Sequence, residues 1–506
     1  MVAGKPPARG RAIQRERVVD PVREAALAVL AGLDEEAVPA GGLIERAESS
    51  FGRREDRALF RALVGAVLRH RSRLDAVLNA LLDRLPVAEL PPPIRAALRL
   101  GAAQLVLLDG IPAHAAVDTS VELAARHGHR GTAGLVNAVL RRLGREGRAR
   151  WEEWERFEAT DPVETLAVRH SHPVWLVRRW AARWGLAETE RVLRWNNAIP
   201  DYWLRLRPGA TAPPGAAEGW IPGTARVPAG SHPAEQPGFS AGEWTIQDGS
   251  GILVGLLLPK VGGLVLDLCA APGTKTSHLA ERATAGTRLV ALDPSPGRLR
   301  RLERGLARQG RSPHRSPAMA TGSSVSGVRG SEARGIQARE IEARGIQAGG
   351  IEVRGAGSAG EAPVRILLVA ADGRRTPIRP PWDSILIDAP CSNLGVLRRR
   401  VDLKWRAREA EILRLAALQA ELLPAAAAGC AAGGHLVYSV CTMEPEETSE
   451  QRDRFLAAHP QWAPASLPAA VPAEARGREG EMLLPPGRFE TDGGYAFLVR
   501  RGGDGT

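Results

Sequence analysis

Through the first third of the chain, apolar residues recur at helical spacing. Leu59, Phe60, Leu63, Val64, Val67 and Leu68 fall on one face, Leu74, Val77, Leu78, Leu81 and Leu82 repeat it, and Leu135, Val136, Val139, Leu140 and Leu143 repeat it again. This spacing belongs to amphipathic helices packed in a bundle. Breaks at Pro86, Pro91 to Pro93 and Gly110 to Pro112 separate the helices, so residues 1–150 read as an all-α module. From about residue 243 the pattern becomes short branched apolar runs divided by helical stretches. Leu264–Leu268, Arg288–Asp293, Val364–Val369, Asp383–Asp388 and His435–Val440 are the strand candidates. Strands alternating with helices predict an α/β fold around a parallel sheet. Between these regions, residues 151–242 hold a helical piece, Val174 to Trp195, and a Pro/Gly-rich stretch from Pro208 to Gly242. The expected organisation is multidomain: a helical module (1–150), a small linking domain (151–242) and an α/β domain (243–506).

One segment interrupts the α/β pattern. Residues 310–363 are rich in Gly, Ser, Arg and Ala, and Ile341-Glu-Ala-Arg-Gly recurs ten residues later as Ile351-Glu-Val-Arg-Gly. A short repeat with so few large apolar residues cannot offset its ordering entropy, so it reads as a disordered insertion between a helix and the third strand.

Composition narrows the class. The 506 residues are 44% apolar and 25% charged, as in a soluble globular protein, with no apolar run long enough to span a bilayer and no N-terminal h-region. A cytoplasmic protein without membrane association is expected. The formal net charge is +11, and residues 1–150 hold 24 Lys plus Arg against 17 Asp plus Glu, so the helical module is the better candidate for a polyanionic partner. Cys269, Cys391, Cys430 and Cys441 include no Cys-x-x-Cys pair, which argues against zinc and against a disulfide scaffold. His170 and His172 lack a third ligand, so no metal is expected. Lys275 and Lys404 are two of only four lysines and lie inside motifs, which gives each some functional weight. Tryptophans 175, 180, 184 and 195 recur at near-helical spacing and read mainly as core. The oligomeric state is not encoded legibly; a monomer is the working expectation.

The chemistry centres on Leu264-Val-Leu-Asp-Leu-Cys-Ala-Ala-Pro-Gly-Thr-Lys-Thr276. A buried strand turns through Pro272 and Gly273 into a helix, and the next strand ends in Asp293, the position from which doubly wound proteins reach ribose hydroxyls. A nucleoside cofactor follows. Ala270, Ala271 and Pro272 stand where a dinucleotide loop needs glycines, which disfavours NAD or FAD. Strand ends border the ligand crevice in such sheets, so Asp267, Cys269, Asp293, Asp372, Asp388, Cys391 and Cys441 are expected on one rim.

These residues resemble the Nol/Nop/Sun family of RNA cytosine-C5 methyltransferases, across about residues 243 to 500. The resemblance is carried by Asp267-Leu-Cys-Ala-Ala-Pro-Gly-Thr-Lys-Thr276, Asp388-Ala-Pro-Cys391 and Val440-Cys-Thr442. The segment from Leu98 to Asp118 and the run Gly131-Thr-Ala-Gly-Leu-Val-Asn-Ala-Val-Leu-Arg-Arg142 resemble the NusB-type RNA-binding fold, an addition typical of the bacterial small-subunit (16S) rRNA branch. The resemblance implies a Rossmann-like domain using S-adenosylmethionine. It implies that Cys269, Ala270, Ala271, Pro272, Gly273, Thr274 and Lys275 line the cofactor site. Asp293 would hold the ribose, Asp372 would border the adenine, and Asp388 would face the methyl-transfer centre. Of the two motif cysteines it makes Cys441 the nucleophile and Cys391 the residue that releases the adduct. An expected helix from Thr442 would assist the Cys441 thiolate, against Glu444, Glu446 and Glu447. Cys430, at an expected helix end, reads as structural.

The chain departs from the family pattern twice. Val440 replaces the usual Thr before the nucleophile, and Arg399-Arg-Val-Asp402 replaces Arg-His-Pro-Asp, which bears on substrate grip. Two other functions stay open on sequence alone. One is a tRNA or DNA cytosine methyltransferase; the Glu-Asn-Val of the DNA enzymes is absent. The other is a non-enzymatic RNA-binding, antitermination-type factor with a vestigial cofactor domain.

Overall fold

The computed structural model describes residues 20–34, 40–310, 348–353, 363–378 and 381–503. They fall into two compact units divided between Glu190 and Arg191.

In the first unit, α1 (Pro21–Asp34), α2 (Ala40–Ser49), α3 (Arg54–Asn79), α4 (Pro92–Val106), α5 (Ala113–His127) and α6 (Arg130–Glu153) form the expected bundle. Phe60, Leu63, Leu74, Leu78, Leu98, Val136, Leu140 and Leu143 are its core. At Gly101 of α4 an added Cβ would lie 2.2 Å from Leu140 Cδ1 and 2.8 Å from Ser120 Oγ, so glycine sets how closely α5 and α6 approach. Arg99 is buried but paired in a fork with Asp75 (2.7 and 2.8 Å) and with Asp34 (2.7 Å). Arg141, Arg142, Arg145 and Arg148 of α6 are exposed, Arg142 pairing with Glu146 (3.3 Å) and Arg148 with Asp109. α7 (Pro162–Arg169) and α8 (Val174–Asn197) follow, α8 breaking at Gly185, where φ is +76°. Trp180 is fully buried; Trp175, Trp184 and Trp195 are half-buried. His170 hydrogen-bonds Glu190 (3.0 Å) and His172 the His170 carbonyl (2.7 Å).

The second unit opens with a small antiparallel sheet of β1 (Tyr202–Leu206), β2 (Ala217–Glu218), β3 (Thr224–Val227) and β4 (Trp244–Ile246), in the order β2-β3-β1-β4. Its larger sheet contains β5 (Leu264–Leu268), β6 (Arg288–Asp293), β7 (Ala348–Val353), β8 (Val364–Ala370), β9 (Trp382–Asp388), β10 (Cys430–Val440), β11 (Trp462–Pro464), β12 (Glu481–Leu484) and β13 (Gly494–Arg501). The spatial order is β11-β13-β10-β9-β5-β6-β8-β7, with β12 on β13. β10, β9, β5, β6 and β8 run parallel. From β5 the chain moves outward through β6 to β8, then returns to the other side of β5 as β9. The switch point therefore lies between β5 and β9, where such sheets bind ligands. Alternate strand residues serve two cores, Val265, Leu289 and Leu386 on one face and Leu266, Val290 and Ile385 on the other, which explains the nearly continuous apolar strands.

Three local expectations are corrected. Within the segment expected to be disordered, Ala348–Val353 forms β7, antiparallel to β8; an otherwise open sheet edge can be paired through backbone alone. The remainder of that expectation, 311–347 and 354–362, lies outside the described residues. Cys430 opens β10 opposite Trp382 rather than ending a helix. No helix starts at Thr442: a 3-10 turn, Pro445–Glu447, precedes the helix Ser449–Ala458, and Thr448 between them is non-helical (φ −122°, ψ −102°). Among the described residues no helix is long and apolar enough to cross a membrane.

Candidate active site

The loop after β5 turns sharply at Cys269 (φ +61°) and passes a cis Ala271–Pro272 bond. At Gly273 φ is +105°, and a Cβ there would sit 2.4 Å from Leu302 Cγ, so glycine is required on both counts. The helix Thr274–Arg282 then begins. Ala270, Ala271 and Gly273 are buried, Thr274 and Lys275 half-buried, and Pro272 exposed. Beneath the turn, Asp267 is fully buried and accepts from Thr276 Oγ1 at 2.6 Å. Burial pushes its carboxyl up to about 7. The folded protein thus holds this proton more tightly than the unfolded chain, and stability falls as pH rises from near 3.8 to about 7. Asp267→Asn keeps an acceptor for Thr276 and removes the titration. In cofactor-free protein its melting temperature should gain on wild type across that window and level off above it, an effect on the order of 4 kcal/mol at neutral pH. Thermal unfolding across pH checks this; a constant difference contradicts it.

Asp293, at the end of β6, is fully buried. It accepts from Ser295 N (2.9 Å) and Ala271 N (3.4 Å), with the half-exposed Arg298 across it at 2.9 Å. Asp372, beyond the end of neighbouring β8, is exposed and forked by Arg374 (3.0 and 2.7 Å), whose hydrogen bonds hold its carboxyl below the usual range.

The reactive groups gather at the ends of β9 and β10. Lys275 Nζ donates to Asp388 Oδ2 at 2.7 Å, and Ser439 Oγ to Asp388 Oδ1 at 3.0 Å. Burial works against the Lys275 charge, but the Asp388 charge and hydrogen bond prevail and hold the ammonium above its ordinary value. Cys391 and Cys441, fifty residues apart in sequence, bring their Sγ atoms to 3.2 Å. The hydrogen bond to Cys441 and then burial push the Cys391 thiol well up. Burial pushes Cys269 up to about 12 and Cys430 up to about 11, so neither is placed to act as a thiolate nucleophile.

Sequence reasoning missed what ties the two cysteine loops together. Glu447 accepts from Ser392 N (2.9 Å), Ser392 Oγ and Gln419 Nε2 (3.0 Å), while Ser392 Oγ lies 3.0 Å from Thr442 Oγ1. Burial raises the Glu447 carboxyl despite these donors. It ties the two loops together, and its charge is also among the causes that raise the Cys391 thiol. Asn393 (φ +59°) bridges the same loops. Its only signal in sequence was adjacency to the Pro-Cys motif. Lys404 is fully buried and donates to Asn197 Oδ1 (2.8 Å). Arg399, common to both patterns, pairs with Asp492 (2.6 Å) and Asp248 (2.9 Å), and of the two departing residues Arg400 lies 3.7 Å from Asp402. Val440 is buried, with its side chain in the core of the sheet.

The donor set fits S-adenosylmethionine: buried and exposed carboxylates for hydroxyl and cationic groups, an ammonium for a carboxylate, and a buried Asp267 Oδ1 without a hydrogen-bonding partner among the described residues. Among those residues no group of three His, Cys, Asp or Glu could hold a metal.

Comparison with known proteins agrees with this architecture. Residues 20–145 match the NusB family, and residues 254–316 and 360–499 match the family described as 16S rRNA methyltransferase RsmB/F. "Probable ribosomal RNA small subunit methyltransferase B" of Synechocystis sp. is 32% identical over 424 residues, covering 80% of this chain and 82% of that protein. Ribosomal RNA small subunit methyltransferase B of Sodalis glossinidius is 31% identical over 425 residues, covering 80% and 82%. The crystal structure of PH0851 shares the fold, with a TM-score of 0.68 at 20% identity over 96% of this chain and 99% of that one. With its helical NusB domain and its switch-point strands both matched, the chain belongs to the RsmB/F family of methyltransferases.

Proposed function

We propose that the protein transfers a methyl group from S-adenosylmethionine to C5 of a cytosine in 16S rRNA, through a covalent adduct between Cys441 and C6. The observation that carries this reading is the Cys391–Cys441 pair at 3.2 Å, on adjacent strand ends beside the Lys275–Asp388 ion pair. C5 of cytosine is a poor nucleophile. Addition of a thiolate to C6 makes the ring an enamine whose C5 can attack an electrophile; loss of the C5 proton then expels the thiolate. The cofactor supplies the electrophilic methyl group. Cys441 forms the bond to C6, Asp388 supports charge at N3 and N4, and Cys391 takes part in breaking the adduct. The loop Cys269 to Lys275 lines the cofactor site. Asp293 receives the ribose hydroxyls once Arg298 swings aside, and Asp372 borders the adenine. The target base leaves its stack to reach this rim.

Residues 1–150 act as the RNA-docking module, a reading supported by the NusB match and the exposed Arg141, Arg142, Arg145 and Arg148. The small-subunit rRNA assignment rests on the names of the relatives together with this module. Bisulfite sequencing of rRNA and tRNA from a strain lacking the gene tests it. One cytosine of 16S rRNA should lose protection while the tRNA pattern stays intact. A loss confined to tRNA contradicts the target.

A further inference from the structure

Asn393 touches both cysteine loops, and the chemistry of its carboxamide fixes which way it faces. Its Nδ2 lies 2.6 Å from the Cys391 carbonyl oxygen, and its Oδ1 lies 3.0 Å from Cys441 Sγ. A carbonyl only accepts, so the nitrogen must face Cys391. The oxygen then faces Cys441, and since it too only accepts, the donor must be the Cys441 S–H. With that proton committed, the 3.2 Å contact between the cysteines has Cys391 as donor and Cys441 Sγ as acceptor.

The backbone gives an independent reason to look at this residue. Asn393 holds φ +59°, a conformation glycine adopts without strain and asparagine tolerates better than most side chains. An asparagine there engages the two cysteine loops with both its polar ends, which a glycine could not do.

We propose that Asn393 is a positioning residue that holds the Cys441 thiol protonated and aims its Sγ, keeping the nucleophile latent in the RNA-free enzyme. The inference rests on the reading of Cys441 as nucleophile. Ionisation of Cys441, its proton passing to water, would set a thiolate against an amide oxygen, exchanging a hydrogen bond for repulsion. Of the other groups around Cys441, the Lys275 ammonium is held up in part by the Cys441 charge, an attraction that works against the carboxamide. Lys275 and Asp388 bond each other, and Glu447 holds Ser392 and Gln419. Glu444, on the segment after Cys441, is fully buried. Cys391 remains a donor to Cys441 and favours the thiolate once the carboxamide has moved aside.

The test is the pH dependence of Cys441 alkylation by iodoacetamide in the full-length, RNA-free protein. Mass spectrometry of the Cys441 peptide resolves it from the other cysteines, between about pH 6 and pH 9. Asn393→Gly suits the backbone and removes the carboxamide. It should alkylate about fivefold faster near pH 7, with the half-maximal pH lowered. Asn393→Asp, of nearly the same size, should alkylate more slowly, with the half-maximal pH raised. A glycine profile that superimposes on wild type or moves upward overturns the proposal, as does an unshifted aspartate profile. Alkylation reads the thiol and not methyl transfer, so failure of the methyltransferase reading would register elsewhere.

Discussion

Cys441→Ala should abolish methyl transfer and every covalent protein–RNA species, whereas Cys391→Ala should accumulate a complex that migrates slowly on a denaturing gel. The two outcomes differ because the proposed reading gives the residues different steps. Without Cys441 the proposed thiolate addition to C6 is lost, and the uncatalysed C5 is too weak a nucleophile to proceed. Without Cys391 addition and methylation still occur, but release of the adduct slows and multiple turnover falls to nearly nothing. The 3.2 Å separation means either sulfur can approach the same ring, so geometry alone leaves the order of roles to the gel. A shifted band with Cys441→Ala and none with Cys391→Ala would reverse the assignment.

Asp388→Asn should lower the single-turnover rate about 100- to 1000-fold, the usual cost of removing one electrostatic stabiliser from a transition state. The substitution preserves shape and the hydrogen bond from Ser439, and removes the charge that Lys275 faces at 2.7 Å. RNA affinity should change no more than about threefold, because the proposed reading assigns the contacts to phosphate to exposed arginines elsewhere. Rapid-quench methylation beside filter binding separates the two quantities. A rate within about threefold of wild type would remove Asp388 from the chemistry.

The strands that carry this site were legible because each is apolar on both faces and ends in a residue unsuited to a strand interior. Leu264–Leu268 runs into Cys269 and a Pro-Gly turn; Trp382–Asp388 runs into Ala389-Pro390. Convergence of Cys391 and Cys441 followed from the parallel pairing of neighbouring strands, here Ser439 opposite Asp388. The bonds between the loops were not legible. Glu447 meets Ser392 across 55 residues, and Asn393 meets Cys441 across 48. Such pairings depend on register and loop shape, which no local pattern encodes. Charge counting registered Glu447 only as a negative charge beside the thiols; its bonds to Ser392 and Gln419 were hidden for the same reason. β7 escaped notice because an edge strand can be held by backbone hydrogen bonds, and its Ala-Gly-Gly start carries no apolar signal. The interruption itself was legible, and the family match stops at residue 316 and resumes at 360.

The most direct measurement is tritium release from 16S rRNA transcribed with [5-³H]cytidine, incubated with the protein and S-adenosylmethionine carrying a ¹⁴C methyl group. Substitution at C5 requires that each methyl group gained expel one C5 hydrogen, so tritium appearing in water should match ¹⁴C entering the RNA one for one. Methyl incorporation without tritium release would place the methyl group on another atom and contradict the account.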